Sequence, residues 1–326
     1  MMHSVETILY LVAVSLSFTV ILSGCTLDDD RDLCCPEPMT MHYIFSPHGT
    51  DVFHDNIFSL RHFLFDADGT FISELPQSEE IQHQRLDLAT GTYTMVTVGN
   101  MSEITLHEHG NEKTLPQFQL RHKAPAKRNQ QAFDNSDELF WGVKRFAIDS
   151  DGMGTEMSDS RIGYTTNRLV TEMSNIHCHL NVTVEWVNRP PYIGSYEMEL
   201  SGVHTQYSLN PQNTTLTADG FEIPSGDNPQ TYRLDVPLRQ LELRAEFVTL
   251  RYTDTTIPTL SIRFSGESVI PDIDLGKAFH TWGWRPSATH VQEYNILLRV
   301  INENRVDVLP MIEGSVADWV NGGSFG

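Results

Sequence analysis

Cysteine is scarce in this sequence. Four occur in 326 residues: Cys25, Cys34, Cys35 and Cys178. None forms a Cys-x-x-Cys pair, so the thiolate spacing of a structural zinc site is missing. Whether Cys34 or Cys35 pairs with Cys178 or all stay free thiols is open at this level. Basic residues are also few. Against 43 Asp and Glu stand 22 Lys and Arg, a formal net charge of −21. A chain so acidic is repelled by phosphate backbones, which excludes nucleic acid as a partner. No apolar run reaches the ~20 residues a membrane-spanning helix needs. The sequence has no phosphate-binding Gly-rich loop, no dinucleotide fingerprint and no His-Glu-x-x-His, so neither a cofactor nor a metal is expected. The Gly322–Gly326 stretch, GGSFG, fits Gly-x-Ser-x-Gly in form. It is followed by no helix, Asp or His in the order a hydrolase needs. No catalytic constellation emerges, and the expectation is a protein that is not an enzyme. Disorder is excluded too, because 40% of the residues are hydrophobic and can bury a core.

What is present begins at the N-terminus. Ile8 to Leu22, ILYLVAVSLSFTVIL, carries no charge and spans 15 residues. That is the length of a signal-peptide apolar region, although the residues before it include no Lys or Arg. Leu22-Ser23-Gly24-Cys25 follows, and it resembles the lipobox of bacterial lipoproteins. The resemblance implies cleavage before Cys25, with acyl chains on its thiol and its new amino group. One chain anchors only marginally, at ~0.8 kcal/mol per buried methylene, whereas three hold firmly without a membrane helix. Asp28, Asp29, Asp30 and Asp32 then form a solvated tether. The expected division is a signal peptide over 1–24 and a tether over 25–35.

From residue 36 the hydrophobic pattern has period two. Leu60, His62 and Leu64 alternate with Arg61, Phe63 and Phe65, and Asp68-Gly69 marks a hairpin turn. GTYTMVTVG (Gly91–Gly99) and LNVTVEW (Leu180–Trp186) read as strands, as do several later segments between turn clusters such as NPQNTT and PSGDNPQ. Asn167–Ile176 reads as either a short helix or the lead into a strand. Many short strands predict an all-β protein of two β-sandwich domains, 36–158 and 159–326. Between them lies the acidic, glycine-containing stretch Asp149–Ser160. The densest basic cluster, Arg121, Lys123, Lys127 and Arg128, falls in an irregular segment.

Several groups could carry chemistry. His107/His109 and His177/His179 are His-x-His pairs that would share a strand face. No third ligand is visible in sequence, so partly exposed sheet histidines are the expectation. Asp66-Ala67-Asp68-Gly69 starts like a calcium loop, but Gln77 stands where the loop needs Glu, and a turn is expected instead. Aromatics concentrate in DNSDELFWG (Asp134–Gly142) and TWGW (Thr281–Trp284). Packing is the expectation for them; Trp282, Trp284 and Tyr192 are the candidates if the protein binds carbohydrate.

Several segments in order resemble one family. DNIFSLRHFLFDADGTFI (Asp55–Ile72), LDLATGTYTMVTVGN (Leu86–Asn100), DELFWG (Asp137–Gly142) and NRLVTEMSNIHCHLNVTVEW (Asn167–Trp186) are similar to signatures of the Bacteroidales fimbrial anchor proteins, the FimB-like family. His177–His179 departs from the small or apolar residues usual there. The resemblance implies two tandem transthyretin-like β-sandwich domains in an outer-membrane lipoprotein at the base of a fimbria. It implies that such a protein holds the fimbria to the cell, limits its length and meets pilin subunits by strand addition. For related pilin subunits the resemblance implies a cut by an arginine-directed protease well after the lipidated cysteine, which releases the lipid. Here only Arg31 and Arg61 come early, and neither sits in an evident linker, so the lipid is expected to stay. The alternative is a surface lipoprotein that binds carbohydrate.

Overall fold

The computed structural model describes residues 39–102, 105–108, 114–123, 132–158, 161–210, 214–216, 222–255, 258–311 and 324–325. The lipobox, Cys25, Cys34, Cys35, the aspartate tether, His109, Lys127 and Arg128 lie outside them. The first strands are β1 (Thr40–Ile44), β2 (Leu60–Phe65), β3 (Phe71–Leu75), β4 (His83–Arg85), β5 (Gly91–Gly99) and β6 (Thr105–Glu108). Next come β7 (Gln119–His122), β8 (Phe140–Ile148), β9 (Gly154–Ser158), β10 (Arg161–Thr166), β11 (Arg168–Glu172) and β12 (Ser174–Asn175). The second half has β13 (His177–Trp186), β14 (Ser195–Ser208), β15 (Thr214–Leu216), β16 (Glu222–Pro224), β17 (Gly226–Pro237) and β18 (Glu242–Leu250). It ends with β19 (Thr259–Phe264), β20 (Glu267–Ser268), β21 (Ile273–Asp274), β22 (Gln292–Asn302), β23 (Arg305–Pro310) and β24 (Ser324–Phe325). Two α-helices occur among the described residues, α1 (Phe53–Asn56) and α2 (Leu275–Trp282). Neither is long or apolar enough to cross a membrane.

These strands build two β-sandwiches, the fold class expected from the alternation. In the first, the sheet β11-β1-β4 faces the sheet β10-β9-β8-β5-β2-β3. Met41 and Tyr43 of β1 and Leu169 of β11 meet Leu64, Met95 and Phe146 in its core. In the second, β18-β13-β22-β23-β24 faces the sheet of β20, β19, β14, β7 and β6, with β17 on the other side of β14. Leu180, Val182 and Val184 of β13 point into that core, as period two requires. The Asp66 turn is a hairpin turn. Its carboxylate accepts from the Asp68 and Thr70 amides at 3.0 and 2.8 Å.

The central sheet of the first sandwich is covered on both faces. Leu60 and Leu64 point to one core, while Phe63 and Phe65, with Val96, Val98 and Trp141, point to a third cluster. That cluster is closed by Phe118 and Leu120, by Ile176 just before β13, and by Tyr207, Leu209 and Leu250 of the second half. The two sandwiches therefore share buried apolar surface. The Phe63/Phe65 side of β2 is the sequence trace of it, since a strand apolar on both sides is buried on both.

Hydrogen bonding does not divide at residue 158. β10 pairs with β9, β11 runs parallel to β1 from Thr40↔Arg168 to Ile44↔Glu172, and β12 pairs with β8. Only from His177 does the chain enter the second sandwich. In the other direction β7 leaves the first half and pairs with β14. Asn167–Ile176, open between helix and strand in sequence, is strand: β11 alternates exposed and buried residues. Sequence periodicity overlooked α2. Its caps were nevertheless legible. The Asp274 side chain accepts from the Lys277 amide at 3.1 Å, and Gly283 ends the helix at φ 71°, where the lack of a Cβ removes the left-handed penalty.

Candidate functional site

The surfaces a β-sandwich offers to a partner strand are its sheet edges, so the site begins with what covers them. In the second sandwich the edges are largely occupied by the chain itself. Segment 132–139 runs over the second sandwich as a strap and leads into β8 of the first. Phe133 exchanges backbone hydrogen bonds with Thr231 and Arg233 of β17, both at 2.8 Å. Ser136 N then donates to Val248 O of β18 at 2.8 Å. The Asn135 side chain completes the join, donating to Glu246 O at 2.9 Å and accepting from Val248 N at 3.0 Å. β24 lies along β23, with Val306 opposite Phe325.

The first sandwich is different. Among the described residues, no strand pairs with the outer edges of β3, β10 or β11. The β11 edge exposes Arg168, Val170 and Glu172, with Val170 41% exposed, while Leu169 and Thr171 point inward. β3 presents Ile72, 48% exposed, and Glu74, which pairs with Arg61 of β2. An open edge with alternating exposed and buried residues can accept an added strand, by main-chain hydrogen bonds and alternate side-chain contacts.

The junction between the halves is held by Arg251, 2% exposed. Its Nη1 donates to Asn175 O at 2.8 Å and His290 O at 2.7 Å, and its Nη2 to Thr289 O and, at 3.4 Å, Pro286 O. No carboxylate pairs with it among the described residues. Burial lowers its pKa, with nearby Tyr207, Tyr294 and Cys178 opposing. Cys178 is a buried free thiol, and burial pushes its pKa up. That burial sets it apart from a reactive cysteine.

The residues weighed for sugar stacking separate into two groups. Trp282 and Trp284 are half-buried, 4.8 Å apart, and both pack on Phe279. Trp284 also stacks on Tyr294 at 5.2 Å. Its remaining surface lines two clefts, one of about 430 Å³ with Asp254, His280 and Arg285, the other of about 660 Å³ with Thr289 and Glu293. Tyr192 instead stacks on Phe264 at 4.5 Å, in a group with Tyr196 and Trp186. Phe140 and Trp141 are buried core. Of the histidines, His107 lies on β6 opposite Leu120. His177 is buried on β13, and His179 beside it meets Glu246 at 3.0 Å and Glu138 at 3.4 Å.

Against known proteins, residues 31–321 match the family described as fimbrillin-A associated anchor proteins Mfa1 and Mfa2. No curated protein matches by sequence. Among solved structures, the chain is similar to the fimbrial anchor protein Mfa2 from Porphyromonas gingivalis. That pair has a TM-score of 0.60 and 16% identity over 85% of this chain and 98% of the other. It is similar to a candidate adhesin from Bacteroides ovatus, with TM-score 0.61 and 14% identity over 85% and 96%. A candidate polysaccharide-binding protein from Bacteroides thetaiotaomicron aligns with TM-score 0.61 and 11% identity over 85% and 99%. At these identities the likeness is one of fold.

Proposed function

The chain belongs to the family of fimbrillin-A associated anchor proteins, and from that premise we propose that it is a lipid-anchored subunit at the base of a fimbria. Membership gives it a fimbrial accessory role at the cell surface. The finer reading is that acyl chains on Cys25 hold it in the outer membrane while the sandwiches hold pilin subunits. Through that attachment it limits fimbrial length. It does this without catalysis.

The observation that carries the reading is the span of the family match, which covers both sandwiches and begins at residue 31, six residues after the lipobox cysteine. Two features support it. The outer edges of β3, β10 and β11, unpaired among the described residues, suit strand addition by a pilin segment. Arg61, the early arginine among the described residues, lies in β2 between β3 and β5 and pairs with Glu74. A protease would have to unfold that sheet to cut at Arg61, which supports retention of the lipid. The aromatic pair Trp282/Trp284 spends most of its surface on packing, which gives the carbohydrate reading no comparable support.

The test is a chromosomal deletion compared with Cys25→Ala. Deletion should release fimbriae into the medium and change their length. The Cys25→Ala protein should leave the outer-membrane fraction and fail to restore attachment. Equal shedding from wild-type and deletion cells would refute anchoring; membrane-bound Cys25→Ala protein would refute lipidation.

A further inference from the structure

His177 and His179 lack a third ligand in sequence, and the fold supplies one. Their rings lie on β13 with centroids 5.1 Å apart. Glu138, at the end of the strap that covers β18, reaches the same place. One ring nitrogen of each histidine and one carboxylate oxygen of Glu138 all lie within 4.8 Å of one another. Glu138 Oε1 is 3.4 Å from His179 Nε2. Two ligands, each ~2.0–2.1 Å from a tetrahedral ion, stand about 3.4 Å apart.

The surroundings fix which nitrogens are free. The Leu139 carbonyl lies 2.9 Å from His177 Nδ1. It can only accept, so Nδ1 carries the proton and Nε2 keeps its lone pair. Glu246 Oε1 lies 3.0 Å from His179 Nδ1, and the same logic directs Nε2 of that ring toward Glu138. A ligating histidine usually donates its other N–H to a carbonyl or carboxylate, and both rings do so here. Asn175 Nδ2 sits 3.2 Å from His177 Nε2, and Asn175 Oδ1 accepts from the His177 amide at 3.1 Å. The Nδ2 contact is the one an ion would displace. Glu138 is exposed and His179 half-buried, which leaves a path from solvent.

We propose that Glu138, His177 and His179 bind one divalent transition-metal ion, zinc being the best match to two imidazoles and a carboxylate, with Glu246 and the Leu139 carbonyl as outer supports. The ion would tie the strap to β13 and so brace the connection between the sandwiches. This does not depend on the fimbrial reading.

The test uses the full chain, stripped with chelator and titrated with Zn²⁺ by calorimetry and with Co²⁺ by visible absorption. One ion per chain is expected, with the absorption of a tetrahedral Co²⁺ site and a melting temperature that rises with Zn²⁺. Glu138→Gln and His179→Gln should each weaken Zn²⁺ binding by about tenfold or more, and Glu246→Gln by about tenfold. Glu138 is exposed, so Glu138→Gln should fold, and circular dichroism checks that it does. His42→Gln, at the separate His42–His83 ring pair, should leave the affinity unchanged. The absence of one-to-one saturable binding would overturn the proposal. So would unchanged affinity in folded Glu138→Gln.

Discussion

Replacing Arg251 by Met should destabilise the protein by about 2–4 kcal/mol, although it removes a buried charge. The guanidinium has lost its water, a cost of several kcal/mol for an ion in a protein interior. Against that stand its bonds to backbone carbonyls of Asn175, His290, Thr289 and Pro286. Pro286 O keeps a second donor, Gln292 Nε2 at 2.9 Å, so Met leaves three carbonyls without the arginine's donors. A buried polar group that loses a donor costs up to about 1–3 kcal/mol, so the lost arginine donors together cost several kcal/mol. Relief of the charge burial offsets part of this. The Arg251 amide bond to the Tyr207 hydroxyl at 2.9 Å survives the substitution, so the loss belongs to the side chain. Urea unfolding followed by both tryptophan fluorescence and far-ultraviolet circular dichroism would measure it. A loss below about 1 kcal/mol, or a gain, would show that the charge was a burden the carbonyls did not repay. Arg251→Lys should recover only part of the loss, since an ammonium cannot reproduce the two-pronged donor geometry.

Further predictions follow from single sites. His62 is buried against Tyr43 and Thr97, and burial lowers its pKa to about 4 despite the opposing Glu74. The unfolded chain takes up the proton first, so stability should fall as pH drops from about 6.5 toward 4, by up to about 3 kcal/mol from this group. A pH series of urea midpoints, with His62→Gln as reference, measures that share. Gly142→Val should cost about 1–3 kcal/mol by overpacking, because even a Cβ there would stand 2.8 Å from Met173 Sδ and 2.9 Å from Thr171 Cγ2; thermal melting tests it. Asn135→Ala should cost about 1–2 kcal/mol and speed hydrogen exchange at the Val248 amide, which loses its acceptor. Unchanged exchange there would mean the strap does not protect β18.

Much of both sandwiches was legible because their strands are patterned locally. The Asp66–Gly69 hairpin, the strand Gly91–Gly99 and the inward Leu180, Val182 and Val184 follow from period two and turn chemistry alone. The strap was not legible. Its residues, 132–139, are polar and poor in β-branched types, and their order comes from backbone groups of β17 and β18 about a hundred residues away. α2 was overlooked because eight residues are too short for periodicity, although Asp274 and Gly283 mark both ends. The Glu138 contact to His179 was invisible for the same reason as the strap. A strand face predicts which histidines align, but no spacing predicts which distant carboxylate arrives.

By itself the sequence determined the β architecture, the net charge of −21, and the resemblance to fimbrial anchor proteins that the family match then bore out. Each of these rests on residue type and short-range order. The tertiary structure alone decided where the halves join, which sheet edges the strap and β24 cover, and what surrounds His177 and Arg251. Those outcomes depend on pairing between segments far apart in the chain. Such pairing is set by the shared burial of Phe63, Phe118, Trp141 and Leu250, and no local pattern encodes it.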